Sequence, residues 1–128
     1  MDFQLLSSSQ DGYHYEKAVL ATFKDPAMAL RRRGAPFTFD ADAFLNLVMA
    51  LRNTPVTRRD EPGLAIRAPT FDHAVKDPVP NGITISSTTQ VVIIEGNYTL
   101  LNEAPWSKIA QLVDERSAIS LPLVRGFC

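Results

Sequence analysis

At 128 residues the chain is the size of one ordinary domain, which excludes a multidomain assembly. Hydrophobic residues make up 45% of it and charged ones 21%, enough apolar content to offset the entropy of ordering and to exclude a disordered chain. Thirteen basic against fourteen acidic residues leave a formal net charge of -1, so there is no general field for nucleic acid or an anionic membrane.

Phe3 to Leu6 reads as a short strand, followed by the polar stretch Ser7-Ser8-Ser9-Gln10 and then Asp11-Gly12-Tyr13-His14-Tyr15. Asp25 before Pro26 supplies an N-cap and a first-turn proline, and Gly34 can end a helix in the left-handed conformation, which predicts a short helix over Pro26 to Arg33. Asp40 caps a second helix, in which Phe44, Leu47, Val48 and Leu51 recur at the spacing of one buried face. The segment Asn53 to Pro62, crowded with Thr, Arg, Asp and Pro, joins two halves of one domain. Leu64 to Ala68 reads as a strand running into Pro69-Thr70-Phe71-Asp72-His73, and Asn81-Gly82 as a turn before Ile83-Thr84-Ile85, the two forming a hairpin-like excursion. Val91-Val92-Ile93-Ile94, ending in Glu95-Gly96, has the pattern of a parallel strand buried on both faces. Pro105 with Ile109, Leu112 and Val113 predicts a helix over Trp106 to Glu115, and Ala118 to Leu121 a further strand. The order of elements is α/β.

An acid at the end of an apolar strand matters because open parallel sheets bind ligands at their carboxyl edge. Glu95 sits there and can hold the water shell of Mg²⁺ on a nucleotide, or it can cap a turn. Asp11 likewise follows a strand; it can take a proton from a substrate hydroxyl attacking a phosphoryl group, or it can belong to a plain Asp-Gly turn. His14 and Tyr15 can bind substrate or pack. Asp11, His14, Asp72 and His73 together suggest a metal site, and hence a metal-dependent hydrolase as a distant alternative, although no fixed zinc spacing is met. Arg31, Arg32 and Arg33 offer forks for phosphate, or a solvated helix end that favours the macrodipole. Trp106 is a packing anchor or a stacking platform.

The longest apolar run, Leu47 to Leu51, falls far short of the ~20 residues of a spanning helix. With no basic residue before Lys17, neither a secretory signal nor a transit peptide is visible, and the expected location is cytoplasmic. The single cysteine, Cys128, excludes an internal disulfide. Asn97-Tyr98-Thr99 fits a glycosylation acceptor and reads as incidental.

Four segments in order, Asp11-Gly12-Tyr13-His14-Tyr15, Arg32-Arg33-Gly34-Ala35-Pro36-Phe37-Thr38-Phe39-Asp40, Pro69-Thr70-Phe71-Asp72-His73 and Val92-Ile93-Ile94-Glu95-Gly96-Asn97-Tyr98, resemble the phosphoribulokinase/uridine kinase family. The chain looks most like its nucleoside or nucleotide kinase-like branch, which includes fungal P-loop ATPases and is similar to pantothenate kinase. The resemblance runs from about Asp11 to Arg116, with 117–128 divergent, and Pro105-Trp106 adds to it. It implies an ATP- and Mg-dependent transfer of a phosphoryl group to a hydroxyl of a small molecule. By the same resemblance Asp11 is the catalytic base and Glu95 the acid near Mg²⁺. His14, Tyr15, Arg33, Asp40, Asp72 and His73 then lie along the substrate side, with Asn97 and Tyr98 close by.

Two departures stand against that pattern. Family members hold the nucleotide in G-x-x-x-x-G-K-[ST], whereas the six glycines here precede Tyr13, Ala35, Leu64, Ile83, Asn97 and Phe127. An arginine-bearing lid helix is expected after Arg116, and residues 117–128 do not supply it. The expectation is therefore an incomplete P-loop NTPase-like three-layer α/β fold with a mostly parallel sheet, lacking the phosphate-loop strand and the lid. Such a truncated kinase would be inactive alone and doubtful in binding ATP. The alternative is a noncatalytic module that pairs with a full-length homologue or with its own copy through an exposed sheet edge.

Overall fold

The computed structural model of the chain describes residues 5–118. Its first strand, β1 (Leu5–Ser9), runs through the serines that the sequence leaves as a loop. Phe3 lies outside the described residues. The serines are strand because β1 pairs in parallel with a distant partner, Leu5 opposite Val91 through Ser9 opposite Glu95, and backbone pairing does not depend on side-chain polarity.

After a tight 3-10 turn, Gln10–Tyr13, come two short helices, α1 (Lys17–Leu20) and α2 (Pro26–Arg31). The Asp25 carboxylate accepts the Met28 N–H at 3.1 Å, as an N-cap should. α2 ends two residues earlier than expected, and Gly34 beyond it takes φ +104. A second 3-10 turn, Pro36–Thr38, leads to α3 (Ala41–Asn53), where the Asp40 carboxylate accepts from Ala43 N at 3.1 Å. This helix follows its apolar period, burying Phe44, Leu47 and Val48, with Leu51 packed against them.

β2 (Ala65–Asp72) and β3 (Asp77–Ser86) form the antiparallel hairpin. Its turn is not Asn81-Gly82 but the residues between Asp72 and Asp77, where Lys76 takes φ 58. Asn81-Gly82 instead forms an irregularity within β3, because Pro69 opposite has no N–H for the ladder and the register shifts between Ala68 and Thr70. Asn81 does adopt the left-handed conformation its type favours, at φ 54.

β4 (Val91–Glu95) carries one covered face, not two. Leu6, Val92 and Ile94 pack against the core, whereas Leu5, Val91 and Ile93 are 56%, 37% and 46% exposed. Among the described residues β4 has a single neighbour, β1, and nothing covers the outer face. The segment read as a helix over Trp106 to Glu115 is a 3-10 helix, Trp106–Gln111. Trp106 and Ile109, three apart, are both buried, which a three-residue turn permits. The strand expected over Ala118 to Leu121 lies outside the described residues from Ile119 onward. The fold class stands as α/β with a parallel sheet, its core formed by Tyr13, Phe39, Phe44, Ile85, Trp106 and Ile109 between α3, the hairpin and the sheet. No helix among the described residues is long and apolar enough to cross a membrane.

Candidate functional site

Because β1 and β4 are parallel, their carboxyl ends share one edge, with Ser9 opposite Glu95. The 3-10 turn that follows β1 is capped at its start, Asp11 N donating to Ser9 Oγ at 3.1 Å. Gly12 lies flat against β2: a Cβ there would stand 2.2 Å from the Pro69 carbonyl oxygen, so only glycine lets the Asp11 turn approach so closely. On the opposite side, a Cβ on Gly96 would stand 2.3 Å from Gln10 Oε1. Gln10 is 1% exposed, and its Oε1 accepts the Tyr98 N–H at 2.9 Å. This joint locks the turn bearing Asp11 to the segment that follows Glu95.

A cleft of about 340 Å³ opens beside that joint, lined by the three β1 serines, Asp11, Glu95, the Pro69-Thr70-Phe71 stretch and His73. Asp11 and Glu95 thus face one cavity. Among the described residues neither carboxylate has an ion pair or hydrogen bond, and no lysine or arginine lines the cleft. A larger apolar depression of about 560 Å³ lies between Phe23 and Phe37, but its acid, Asp25, is already the cap of α2. The smaller cleft, with two free carboxylates, is the candidate site.

Several residues read from the sequence as ligands serve the architecture instead of lining this cleft. His14 stacks between Phe39 and Phe71, at 4.1 and 4.7 Å between ring centres. Its Nδ1 lies 2.7 Å from the Asp11 carbonyl oxygen, which can only accept, so Nδ1 carries the proton. Arg33 donates to the Tyr15 carbonyl at 3.0 Å, to Asp77 at 2.8 Å and to the Lys76 carbonyl, clamping the hairpin turn to the loop after α2. Arg31 and Arg32 are exposed. Asp40 caps α3, and Asp72 accepts the Ala74 N–H at 2.8 Å within the hairpin turn. The Tyr98 hydroxyl donates to the Gly34 carbonyl at 2.6 Å while its ring packs on Phe39 and Trp106. Tyr15 meets Phe23 edge-on, and Asn97 is exposed. No group of three metal-ligating side chains forms among the described residues, so Asp11, His14, Asp72 and His73 do not assemble a metal site. Gln10 and Ser8, which the sequence does not single out, belong to the cleft and its support.

The electrostatics follow the same division. Burial pushes the Asp77 carboxyl up, but the Lys17 backbone N–H and the Arg33 guanidinium outweigh it and hold the group below its ordinary 3.8. Burial, with the Asp40 carboxylate as a lesser cause, pushes the Tyr13 hydroxyl up from 10.0 to about 12. The fold favours the neutral phenol, so this contribution to stability is complete below pH 10.0 and lost as pH rises toward about 12. Urea midpoints measured up that range should fall less steeply in Tyr13→Phe than in the parent; equal slopes would exclude Tyr13 as the cause.

No protein-family model matches the chain. It is 50% identical over 105 residues to the ATP-dependent kinase-like protein notR′ of Aspergillus versicolor, covering 82% of this chain and 59% of that one. It is 42% identical over 104 residues to a Schizosaccharomyces pombe protein that carries a provisional uridine kinase name, covering 81% of this chain and 41% of that protein. Among solved structures it resembles Saccharomyces cerevisiae YFH7, provisionally termed a P-loop kinase with a circular permutation. That match has a TM-score of 0.77 and 34% identity, over 84% of this chain and 37% of that one. The chain therefore spans about three-fifths or less of the length of these relatives.

Proposed function

This chain belongs to the ATP-dependent P-loop kinases of the uridine kinase-like family, and from that premise we propose that its cleft is the acceptor side of a phosphoryl transfer to a hydroxyl group. The observation that carries the reading is the meeting of Asp11 and Glu95, neither ion-paired among the described residues, in one cleft at the carboxyl ends of two parallel strands. Asp11 accepts the proton that the substrate hydroxyl loses as its oxygen becomes a nucleophile. The Gln10–Gly96 joint keeps that base in register with Glu95.

The donor set decides which partners these residues fit. Free carboxylate oxygens suit a hard, hydrated cation, and Glu95 would hold Mg²⁺ through its water. When bound, that ion neutralises charge on the transferred group. A triphosphate does not fit: none of the six glycines precedes a lysine, and no basic side chain among the described residues lines the cleft. Without that cradle, the positioning and charge stabilisation on which phosphoryl transfer depends are missing from these 128 residues. We therefore expect calorimetry with ATP and Mg²⁺ to show no micromolar binding to the 128-residue chain. Micromolar affinity would overturn the assignment of the cleft to the acceptor side alone.

A further inference from the structure

The apolar depression of about 560 Å³ shares no lining residue with the cleft; Phe23, Lys24, Asp25, Pro26 and Met28 form one side of it and Phe37 the other. Hydrogen bonds fix the backbone of its walls. Phe23 N donates to the Leu20 carbonyl at 3.1 Å, and the Phe23 ring meets Tyr15 edge-on at 5.8 Å between centres. Met28 N donates to the Asp25 cap. Phe37 sits in the 3-10 turn Pro36–Thr38, and the fully buried Thr38 ties that turn down, its Oγ1 accepting from Gly34 N at 2.9 Å and donating to the Ala35 carbonyl at 2.7 Å. Phe37 nevertheless stays 43% exposed. An aromatic held half-exposed on a fixed turn, at the side of a concavity, is a pre-formed contact surface, because docking there orders little that is not already ordered.

Charge around the depression is mostly of one sign. Lys24 lines it, and Arg31 and Arg32 follow Met28 by one helical turn on the same side of α2. All three are exposed, and none has an ion pair among the described residues. Asp25, the acid in the lining, already has a side-chain oxygen on the Met28 N–H. From Glu16 to Phe37 the basic residues Lys17, Lys24, Arg31, Arg32 and Arg33 outnumber the acids Glu16 and Asp25, in a chain whose formal net charge is -1. The basic excess is therefore local to this surface. Aromatic residues, Met and Arg are the types enriched where proteins meet, and a concavity receives a side chain where a bilayer would take up protruding ones.

We propose that this depression docks an acidic segment of a partner protein, one large apolar side chain of which enters between Phe23 and Phe37 while neighbouring carboxylates meet Lys24, Arg31 and Arg32. The apolar side chain supplies the buried anchor, and the charges supply orientation and the choice of an acidic partner. The inference stands apart from the acceptor-site reading, since it uses no residue of the cleft.

The test is fluorescence anisotropy of the 128-residue chain with a fluorescein-labelled peptide in which a central leucine is flanked on both sides by glutamate and aspartate. Saturable binding is expected, weakened at least about tenfold when serine replaces the leucine or when glutamine and asparagine replace the acids. It should also weaken as salt rises from about 0.05 to 0.5 M, because exposed charge pairs are screened. On the protein, Phe37→Ser and the triple change Lys24→Gln, Arg31→Gln, Arg32→Gln should each lower affinity at least about fivefold. Val56→Ser, 59% exposed and outside the lining, should leave it unchanged. The triple change alters only exposed side chains and keeps the fold, so it decides the matter even where Phe37→Ser loosens its turn. Vesicles of phosphatidylserine and phosphatidylcholine should not displace the peptide. No saturable binding, equal affinity for the serine-centred or uncharged peptide, or affinity unmoved by the triple change would overturn the proposal. Displacement by the vesicles would do so too, by identifying a membrane-facing surface in place of a protein-binding one.

Discussion

Asp11→Asn should lower kcat by about 10²- to 10⁴-fold, the usual worth of a positioned general base, in a form of the chain joined to a nucleotide-binding half. The substitution is nearly isosteric, and what holds the turn does not involve the carboxylate. Ser9 Oγ accepts from the Asp11 backbone N–H, Gly12 packs on Pro69, and Gln10 reaches the Tyr98 N–H, all unchanged in the variant. Stability and ATP affinity should therefore stay at the parent values. The loss should fall on kcat with little change in KM, since the base is needed only as the hydroxyl gives up its proton. Turnover equal to the parent would remove Asp11 from the base role and leave it as the second residue of an Asp-Gly turn.

The helices were readable where side-chain chemistry is local. Asp25 and Asp40 cap α2 and α3 as their positions imply, and α3 buries its periodic face. Pairing over long sequence separation was not readable. Ser7 to Ser9 become strand only because Val91 to Glu95 lies alongside, and a serine run carries no sign of that. The β-branched run of β4 suggests burial on both faces, yet exposure depends on what lies over the sheet, and Val91 and Ile93 are uncovered among the described residues. At Asn81 the residue type announced the left-handed backbone correctly, but Pro69 across the ladder made it an irregularity in place of a turn.

The site divides in the same way. The shared position of Asp11 and Glu95 was legible from a positional rule, that acids just beyond parallel strands reach solvent at the carboxyl edge of the sheet. His14, Arg33, Asp40, Asp72 and Tyr98 drew attention by type and proximity in sequence, and the structure uses their polar atoms on its own backbone or on Asp77. Gln10 and Ser8 had no signal of their own. Their roles arise from contacts with Gly96, Tyr98 and the hairpin, which only the folded chain brings close.

Phe44→Ala should cost about 3–5 kcal/mol, the range for emptying a buried aromatic position. Phe44 is fully buried on α3 and touches both sides of the core, its ring centre 5.0 Å from Tyr13 and 6.1 Å from Trp106. Tyr13 closes the turn that carries Asp11, so the cavity left behind would loosen the support of the cleft as well as the core. Small domains retain only ~5–15 kcal/mol in total, and here Leu5, Val91 and Ile93 are uncovered among the described residues, so the loss is a large share of what holds the domain together. Urea melts should show a markedly lower midpoint or no cooperative transition, while Val56→Ala, at a side chain 59% exposed, should stay within ~0.5 kcal/mol of the parent. A Phe44→Ala midpoint as high as that of Val56→Ala would mean that the ring does not anchor the core, and with it the turn that presents Asp11.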